Sequence, residues 1–282
     1  MTMMTRLATA AGLALLGLSV PALAEGFGEC KVTGTAGSIQ IPTVTEGTLT
    51  VAAILPAPDS FKGNSPETIT GGFEYCLAAE IAHRAGLKSV TVQNVPWPAL
   101  IAGQLSGFDT AMTNIFITEE RLQNVDFTAP YFVATSGVMV RSEDAATITR
   151  DNLGEKRLGV FLASVQDRFL DQTLKPTGEV RRFEATADMF TALSAGQIDA
   201  VLFDLSGVLP AATASNGALT VIGQYDVGGN VGGVLVKGSQ AKAGFDAAIE
   251  AMKADGTIDQ LVATWYAPLW GVDPATIPYW DK

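Results

Sequence analysis

The sequence predicts an α/β protein with two units, each a mostly parallel β-sheet flanked by helices. Short apolar runs of strand length alternate with segments of helical periodicity, once before Arg141 and again after it. Because a short crossover containing a helix joins successive strands, the strands of each unit should run parallel. The chain has 282 residues, of which 48% are hydrophobic, and this is enough for two cores.

The first unit follows a segment, residues 25–46, that is rich in glycine and threonine and shows little periodicity. We interpret this segment as an extended lead-in. A loop at 55–66 contains proline and glycine and separates the first strand from the first helix, which Gly86 ends. In chain order, the predicted elements are strand 48–54, helix 73–85, strand 88–94, helix 98–105 and strand 108–113.

The second unit repeats this alternation. Its predicted elements are strands 157–162, 179–184, 198–203 and 219–224, with Ser164 and Thr186 placed to begin two helices. A further strand, 231–237, and two helices follow; Ser239 begins the first helix, and Gly256 separates it from the second. We expect the tail, which is rich in proline and aromatic residues, to pack on the surface of one unit.

The first 24 residues have the pattern of a signal peptide. Arg6 precedes an apolar run, 7–20, that is too short to span a bilayer, and a small-x-small site ends at Ala24. We expect cleavage after Ala24, which leaves 282 − 24 = 258 residues, and export to the periplasm. The alternative is an uncleaved membrane anchor.

The composition limits the partners. The formal net charge is −11, and removal of the predicted signal peptide, whose one charged residue is Arg6, gives −11 − 1 = −12. Such a charge argues against nucleic acid or an anionic membrane surface as a partner. The sequence offers no metal-ligand spacing and no phosphate-binding loop, so we expect no metal and no cofactor.

Cys30 and Cys76 are the two cysteines. Since an exported chain meets an oxidising compartment, an even count favours one disulfide between them. Two free buried thiols are the alternative.

The stretch 108–131, FDTAMTNIFITEERLQNVDFTAPY, holds the strongest functional signal. A strand ends at Thr113 and Asn114, and Thr118 is placed to cap a short helix in which Arg121 lies. Ligands of open α/β sheets bind at the carboxyl ends of strands. Arg121 is therefore placed where it would contact a ligand.

This stretch resembles a pattern of the periplasmic solute-binding proteins that feed ABC importers, in the polar amino-acid branch called family 3. Further similarities lie in GFE at 72–74, GVFLASVQD at 159–167, the Gly and Asp spacing of 196–204, and ADGTIDQLVATWY at 254–266. The resemblance implies the two-lobed type II periplasmic binding protein fold with a two-strand hinge, near 137–141 and 226–236. It divides the chain into lobe 1, residues 47–138 with 233–282 returning to it, and lobe 2, residues 139–232.

The resemblance also implies ligand-binding residues on both lobes. Arg121 would hold the α-carboxylate with its planar fork, and Asp204 would hold the α-ammonium. On its own, Asp204 is equally well interpreted as a helix N-cap, and Trp97 as a core residue. The other implied ligand-binding residues are Thr113, Asn114, Phe116, Trp97, Phe161, Ser164, Val165 and Gln166.

The chain departs from the family pattern in its first loop and in its aromatic content. Asp59 and Phe61 are displaced candidates for the acidic and aromatic residues of that loop. Trp97, Phe116 and Phe161 make the predicted site aromatic, which suits apolar side chains or alkylated ammonium groups.

The leading hypothesis is thus a non-enzymatic, monomeric binding protein that captures an amino acid or a derivative and delivers it to an ABC permease. One alternative is an enzyme like cyclohexadienyl dehydratase on the same fold, with Glu74 or Asp204 as the acid. Others are a binding protein for betaine-like or ectoine-like solutes or opines, and a sensor that docks on a membrane receptor.

Overall fold

The computed structural model describes residues 26–280, which form two five-stranded sheets with helices on their faces. The predicted signal peptide, residues 1–24, lies outside the described residues. The strands are β1 Thr48–Ala53, β2 Ser89–Asn94, β3 Thr110–Ala111, β4 Asp126–Phe127, β5 Phe132–Arg141, β6 Leu158–Phe161, β7 Val180–Phe183, β8 Ala200–Asp204, β9 Leu219–Val231 and β10 Val234–Leu235.

The α-helices lie between and after these strands. They are α1 Phe73–Arg84, α2 Trp97–Ile101, α3 Arg121–Asn124, α4 Val165–Phe169, α5 Thr186–Ser194, α6 Leu205–Ala214, α7 Lys242–Ala254, α8 Thr257–Leu261 and α9 Ala267–Trp270. Two of them, α4 and α8, continue into π-helical turns, Leu170–Leu174 and Val262–Tyr266. Among the described residues, no helix has the length and apolar character needed to cross a membrane.

Both sheets are mixed. Sheet 1 has the order β2-β1-β3-β10-β4, in which β1 runs parallel to β2 and β3 while β10 is antiparallel to β3 and β4. Sheet 2 has the order β7-β6-β8-β5-β9, in which β6 runs parallel to β7 and β8 while β5 is antiparallel to β8 and β9. The predicted α/β class with two sheets is confirmed.

Sheet 1 forms the first core with α1, α7 and α8. Helices cover both faces of β1, and Leu49, Val51 and Ala52 are fully buried. Gly72 precedes α1 with φ 106°, and a Cβ there would lie 2.4 Å from the carbonyl oxygen of Ser60. Only glycine fits at this close approach.

The predicted disulfide is present and ties the lead-in to α1. Cys30 is bonded to Cys76, and their Cα atoms are 5.2 Å apart. The carboxylate of Glu80 on α1 accepts hydrogen bonds from the amides of Thr33 and Gly34 at 2.8 Å. The lead-in is therefore anchored on α1 although it forms no strand of either sheet.

Two adjacent chain segments connect the sheets. The first connection leads from β4 of sheet 1 into β5 of sheet 2, and the second leads from the end of β9 back into β10 of sheet 1. The two lie side by side, because the first residues of β5 pair with the last residues of β9. The predicted lobe boundaries, 138/139 and 232/233, stay predictions.

The end of the chain contacts sheet 2 rather than sheet 1. The amide and carbonyl of Gln224 on β9 bond to Pro278 O and Trp280 N at 2.8 and 2.7 Å. Trp280 packs edge-on against Tyr225, and Ile277 belongs to the core of sheet 2. Helices α7 and α8 thus pack on the first lobe, and the tail beyond α9 packs on the second.

Several element boundaries differ from the sequence prediction. The second helix, predicted to extend to Leu105, ends at Ile101, because Gly103 adopts φ 69° and turns the chain. The helix assigned to start with a Thr186 cap has Ala185 as its N-cap. The helix expected from Ser239 begins at Lys242; the Ser239 hydroxyl accepts a bond from the Ala241 amide instead.

Candidate functional site

A cavity of about 550 Å³ lies between the two lobes, at the carboxyl ends of β1, β3, β6 and β8. Its volume falls in the range of about 300–1,000 Å³ that small ligands occupy. All ten residues predicted to bind ligand line this one cavity: Trp97, Thr113, Asn114, Phe116, Arg121, Phe161, Ser164, Val165, Gln166 and Asp204. Of the two displaced candidates, Asp59 also lines it, whereas Phe61 is buried in the first core with 1% of its surface exposed.

Arg121 is the buried cation of the cavity. It is the first residue of α3, and the hydroxyl of Thr118 accepts a bond from its amide at 3.2 Å. Its Nη1 donates to the carbonyl of Phe116 at 2.8 Å, and the guanidinium lies 4.8 Å from the centre of the Trp97 ring. Within residues 26–280, the buried Nε atom has no hydrogen-bond partner. The guanidinium is therefore held from two sides and keeps free donor capacity.

Burial lowers the pKa of Arg121 to about 10, with repulsion from Arg168 adding to the effect. The side chain remains positively charged at neutral pH. A buried arginine that makes few hydrogen bonds within the protein binds a planar anion such as a carboxylate strongly.

Asp204 is the anion at the end of β8. It occupies the N-cap position of α6, but its side chain makes no capping bond. Instead its Oδ1 accepts a bond from Nε2 of Gln166 at 2.6 Å, and the same nitrogen donates to the hydroxyl of Ser136 at 2.8 Å. Asp204 is thus the N-cap residue by position, as the alternative had it, but its carboxylate does not cap the helix and lines the cavity.

Burial raises the pKa of Asp204 to about 7; the Gln166 bond opposes this rise, and the nearby carboxyls of Asp59 and Glu74 add to it. Arg121 also lowers this pKa, but by less than burial raises it. Without a further cation beside it, Asp204 is part protonated near neutral pH.

Asn114 links the two lobes across the floor of the cavity. It adopts φ 54°, a conformation that Asn tolerates better than most residues. Its Nδ2 donates to Asp59 Oδ2 at 3.1 Å and to the hydroxyl of Ser206 on α6 at 2.8 Å. A second contact across the cleft joins Arg168 and Glu120, whose charged atoms are 2.5 Å apart. Two contacts therefore bridge the cleft in this structure.

Glu74 lies behind this floor. It is fully buried, and its Oε1 accepts bonds from the amide of Asn114 at 2.9 Å and from the hydroxyl of Tyr131. Burial raises its pKa to about 7. Glu74 is not among the residues that line the cavity.

The turn at Ser164 forms a second part of the wall. As predicted, Ser164 caps α4, and its Oγ accepts a bond from the amide of Asp167 at 3.0 Å. The hydroxyl proton of Ser164 is left free to donate. Gln166 was predicted to bind ligand, but the sequence did not predict that its side chain is the hydrogen-bond partner of Asp204.

Four aromatic rings form a continuous wall. The ring centres of Trp97 and Phe161 are 6.2 Å apart, those of Phe161 and Phe203 6.1 Å, and those of Phe203 and Phe190 6.2 Å. Such tilted and edge-on contacts stabilise aromatic clusters. Trp97 and Phe161 were predicted in the site, and the wall continues beyond them through two residues that were not.

Further residues that line the cavity, on α6 and α9, were not predicted. One face of α6 lines the cavity at Gly207, Pro210, Ala211 and Ala214, and α9 adds Pro268 and Leu269. The positions on α6 recur at helical spacing from Asp204, a signal that the sequence does contain. No comparable signal marks the two residues of α9, which the tail brings in from the far end of the chain.

Comparisons with known proteins agree with this architecture. Residues 50–268 match the family model for bacterial extracellular solute-binding proteins, family 3. The chain belongs to this family. Across 213 residues it is 30% identical to the L-cystine-binding protein TcyJ of Escherichia coli (strain K12), covering 74% of this chain and 78% of that protein.

Solved structures of amino-acid-binding proteins share the fold. An ancestral arginine-binding protein bound to arginine superposes with a TM-score of 0.69 and 28% identity, covering 79% of this chain and 99% of that one. An ancestral amino acid-binding protein described as a precursor of cyclohexadienyl dehydratase superposes with a TM-score of 0.68 and 27% identity, covering 78% and 95%. The predicted family and fold are thus confirmed.

Proposed function

We propose that this protein captures a free α-amino acid, or a close derivative, in the cavity between its lobes and delivers it to an ABC permease in the inner membrane. It acts as a monomer in the periplasm, after removal of the signal peptide. The relatives named for amino acid binding support this proposal. The observation that carries it is the pair formed by Arg121 and Asp204.

This pair suits a zwitterion because its two charges come from different lobes. Arg121 begins α3 beside sheet 1, and Asp204 ends β8 of sheet 2, yet both line one cavity. A carboxylate on Arg121 and an ammonium on Asp204 would each satisfy a buried group that the protein leaves incompletely paired. A ligand with both charges therefore bridges the lobes and stabilises the closed form.

The test is a binding screen on mature protein, residues 25–282, that has been unfolded and refolded to remove any ligand from the host. Thermal shift is measured with amino acids, opines, betaines and ectoines, because a ligand of the folded state raises the midpoint. We expect shifts with α-amino acids. A shift with betaines alone would contradict the proposed role of Asp204, since a quaternary ammonium has no proton to donate.

The second candidate is an enzyme that resembles cyclohexadienyl dehydratase. Two observations favour it: the carboxyl pKa values of about 7 at Glu74 and Asp204, which suit proton transfer, and the similarity to the ancestral precursor. The position of Glu74 behind Asn114 argues against it as a catalytic acid. Loss of prephenate or arogenate absorbance on addition of the protein would support the enzyme, and no turnover would reject it.

A further inference from the structure

We infer that the cavity has a second, apolar subsite beyond the charged pair, and that this subsite selects amino acids with a large neutral side chain, aliphatic or aromatic. The inference rests on the proposed function and deepens it. We define the distal subsite by six residues from three elements: Phe190, Pro210, Ala211, Ala214, Pro268 and Leu269.

The length of the cavity follows from helix α6. Lining residues occur along one face of this helix from Asp204, at its start, to Ala214, at its end. An α-helix rises about 1.5 Å per residue, so these ten steps span about 15 Å. The cavity therefore extends well past the carboxylate that would hold an ammonium.

The tail flanks the far end of this space, where Ala214, Pro268 and Leu269 are exposed to solvent. The hydroxyl of Thr213, near the end of α6, donates to the carbonyl of Trp270 at 3.0 Å. A Cβ on Gly271 would lie 2.4 Å from that same hydroxyl, so the tail lies directly on the last turn of α6. This contact holds Pro268 and Leu269 opposite the end of the helix that is remote from Asp204.

The distal subsite offers no partner for a charge. Among the described residues that line the cavity, the charged side chains are Asp59, Arg121, Glu184 and Asp204. Asp59 is already bonded to Asn114, and Glu184 is exposed to solvent. An ammonium or guanidinium at the end of a long side chain would find no carboxylate among the six residues of the distal subsite.

An apolar side chain would instead bury its surface against Phe190, Pro210 and Leu269. Each buried methylene contributes roughly a fourfold gain in affinity. Leucine or phenylalanine should therefore bind at least about 50-fold more tightly than alanine, which reaches the charged pair but not the distal subsite. Arginine and lysine should bind more weakly than leucine.

The experiment compares calorimetric affinities of the refolded protein for alanine, leucine, phenylalanine, glutamine, lysine, arginine and cystine. It is repeated with Leu269→Glu, a substitution at a side chain that is 38% exposed and thus tolerable for folding. Val272→Glu is the matched control, because this residue lies on the same tail, is 51% exposed and does not line the cavity. Thermal midpoints without ligand check that each variant folds.

We expect Leu269→Glu to weaken leucine and phenylalanine by about tenfold or more, to leave alanine within about twofold, and to strengthen lysine or arginine. Val272→Glu should change none of these affinities. If wild-type protein binds a charged or polar amino acid, or cystine, as tightly as leucine, the inference is overturned while the proposed function stands. If no amino acid binds, the proposed function fails and this inference fails with it.

Discussion

The two ends of the cavity differ in how they are built. The charged end consists of Arg121 and Asp204, each placed by a strand end and the turn that follows it. The distal subsite combines α5, α6 and α9, and α9 is more than 50 residues away from α6 along the chain. Each half of the charged end is thus set by one short segment, whereas the apolar end is assembled from three helices, one of them distant along the chain.

This difference separates two functions of the site. The charged end recognises the groups that every α-amino acid has in common, and the distal subsite contacts the part in which amino acids differ. Substitutions at the charged end should therefore lower the affinity for all amino acids equally. Substitutions at the distal subsite should change the order of affinity among amino acids.

The largest effect should come from Arg121→Ala. Removal of one partner of a buried charge pair costs about 2–5 kcal/mol, or roughly 30- to several-thousand-fold in affinity. Calorimetry should show this loss for every amino acid that binds. Arg181→Ala, which removes a positive charge outside the cavity, is the control. An unchanged affinity of the Arg121 variant would contradict the assignment of the carboxylate site.

A smaller loss is expected for Asp204→Asn. A hydrogen bond to a charged group contributes about 1.5–3 kcal/mol, so α-amino acids should bind about 10- to 150-fold more weakly. Carboxylic acids that lack the ammonium should bind the variant as well as they bind the wild type, or better. Equal losses for both classes in the same titration would count against the role of Asp204.

The third prediction concerns pH. Asp204 has a pKa of about 7 in the free protein, with Asp59, Glu74 and Arg121 as its charged neighbours. An ammonium binds the carboxylate, so below this pKa binding must first remove a proton. Affinity should be constant above about pH 7.5 and fall about tenfold per pH unit below about 6.5. Calorimetric titrations from pH 5.5 to 8.5 measure this pH dependence of the affinity. In Asp204→Asn the pH dependence should disappear. If it persists, the titrating group is Glu74 and not Asp204.

The smallest effect should follow Gln166→Met, a change that keeps the length of the side chain. It removes the 2.6 Å bond to Asp204, and an ordinary hydrogen bond contributes about 0.5–1.5 kcal/mol. Affinity at pH 7 should fall by roughly 2- to 10-fold, because the pKa of Asp204 rises further, and should recover toward pH 8.5. A loss that is the same at both pH values would mean that Gln166 acts through packing.

The residues of the charged end were predictable through the family resemblance, because the motifs that carry it are short and local. Arg121, Thr113 and Asn114 lie in one run of 24 residues, and Asp204 directly follows an apolar strand. All ten predicted residues line one cavity. What sequence did not predict is how they bond to each other, such as Gln166 to Asp204 or Asn114 to Ser206.

The misses have physical causes. Strand β3 is two residues long where six were predicted, because apolar content indicates burial but not the extent of pairing. The tail packs on a lobe as expected, but its path depends on close contacts of Gly223 with the Trp280 ring and of Gly271 with the Thr213 side chain, which no local sequence pattern marks. The distal subsite, to which this path adds Pro268 and Leu269, could therefore not be predicted from the sequence.

The most direct test of the central claim uses three compounds: the amino acid that binds most tightly, the amine that lacks its carboxylate, and the acid that lacks its ammonium. Their affinities for the refolded protein are measured by calorimetry at pH 8. A clamp made of Arg121 and Asp204 predicts that both analogues lose about tenfold or more. Equal binding of the amino acid and either analogue would contradict the clamp, because one of the two charges would then have no partner.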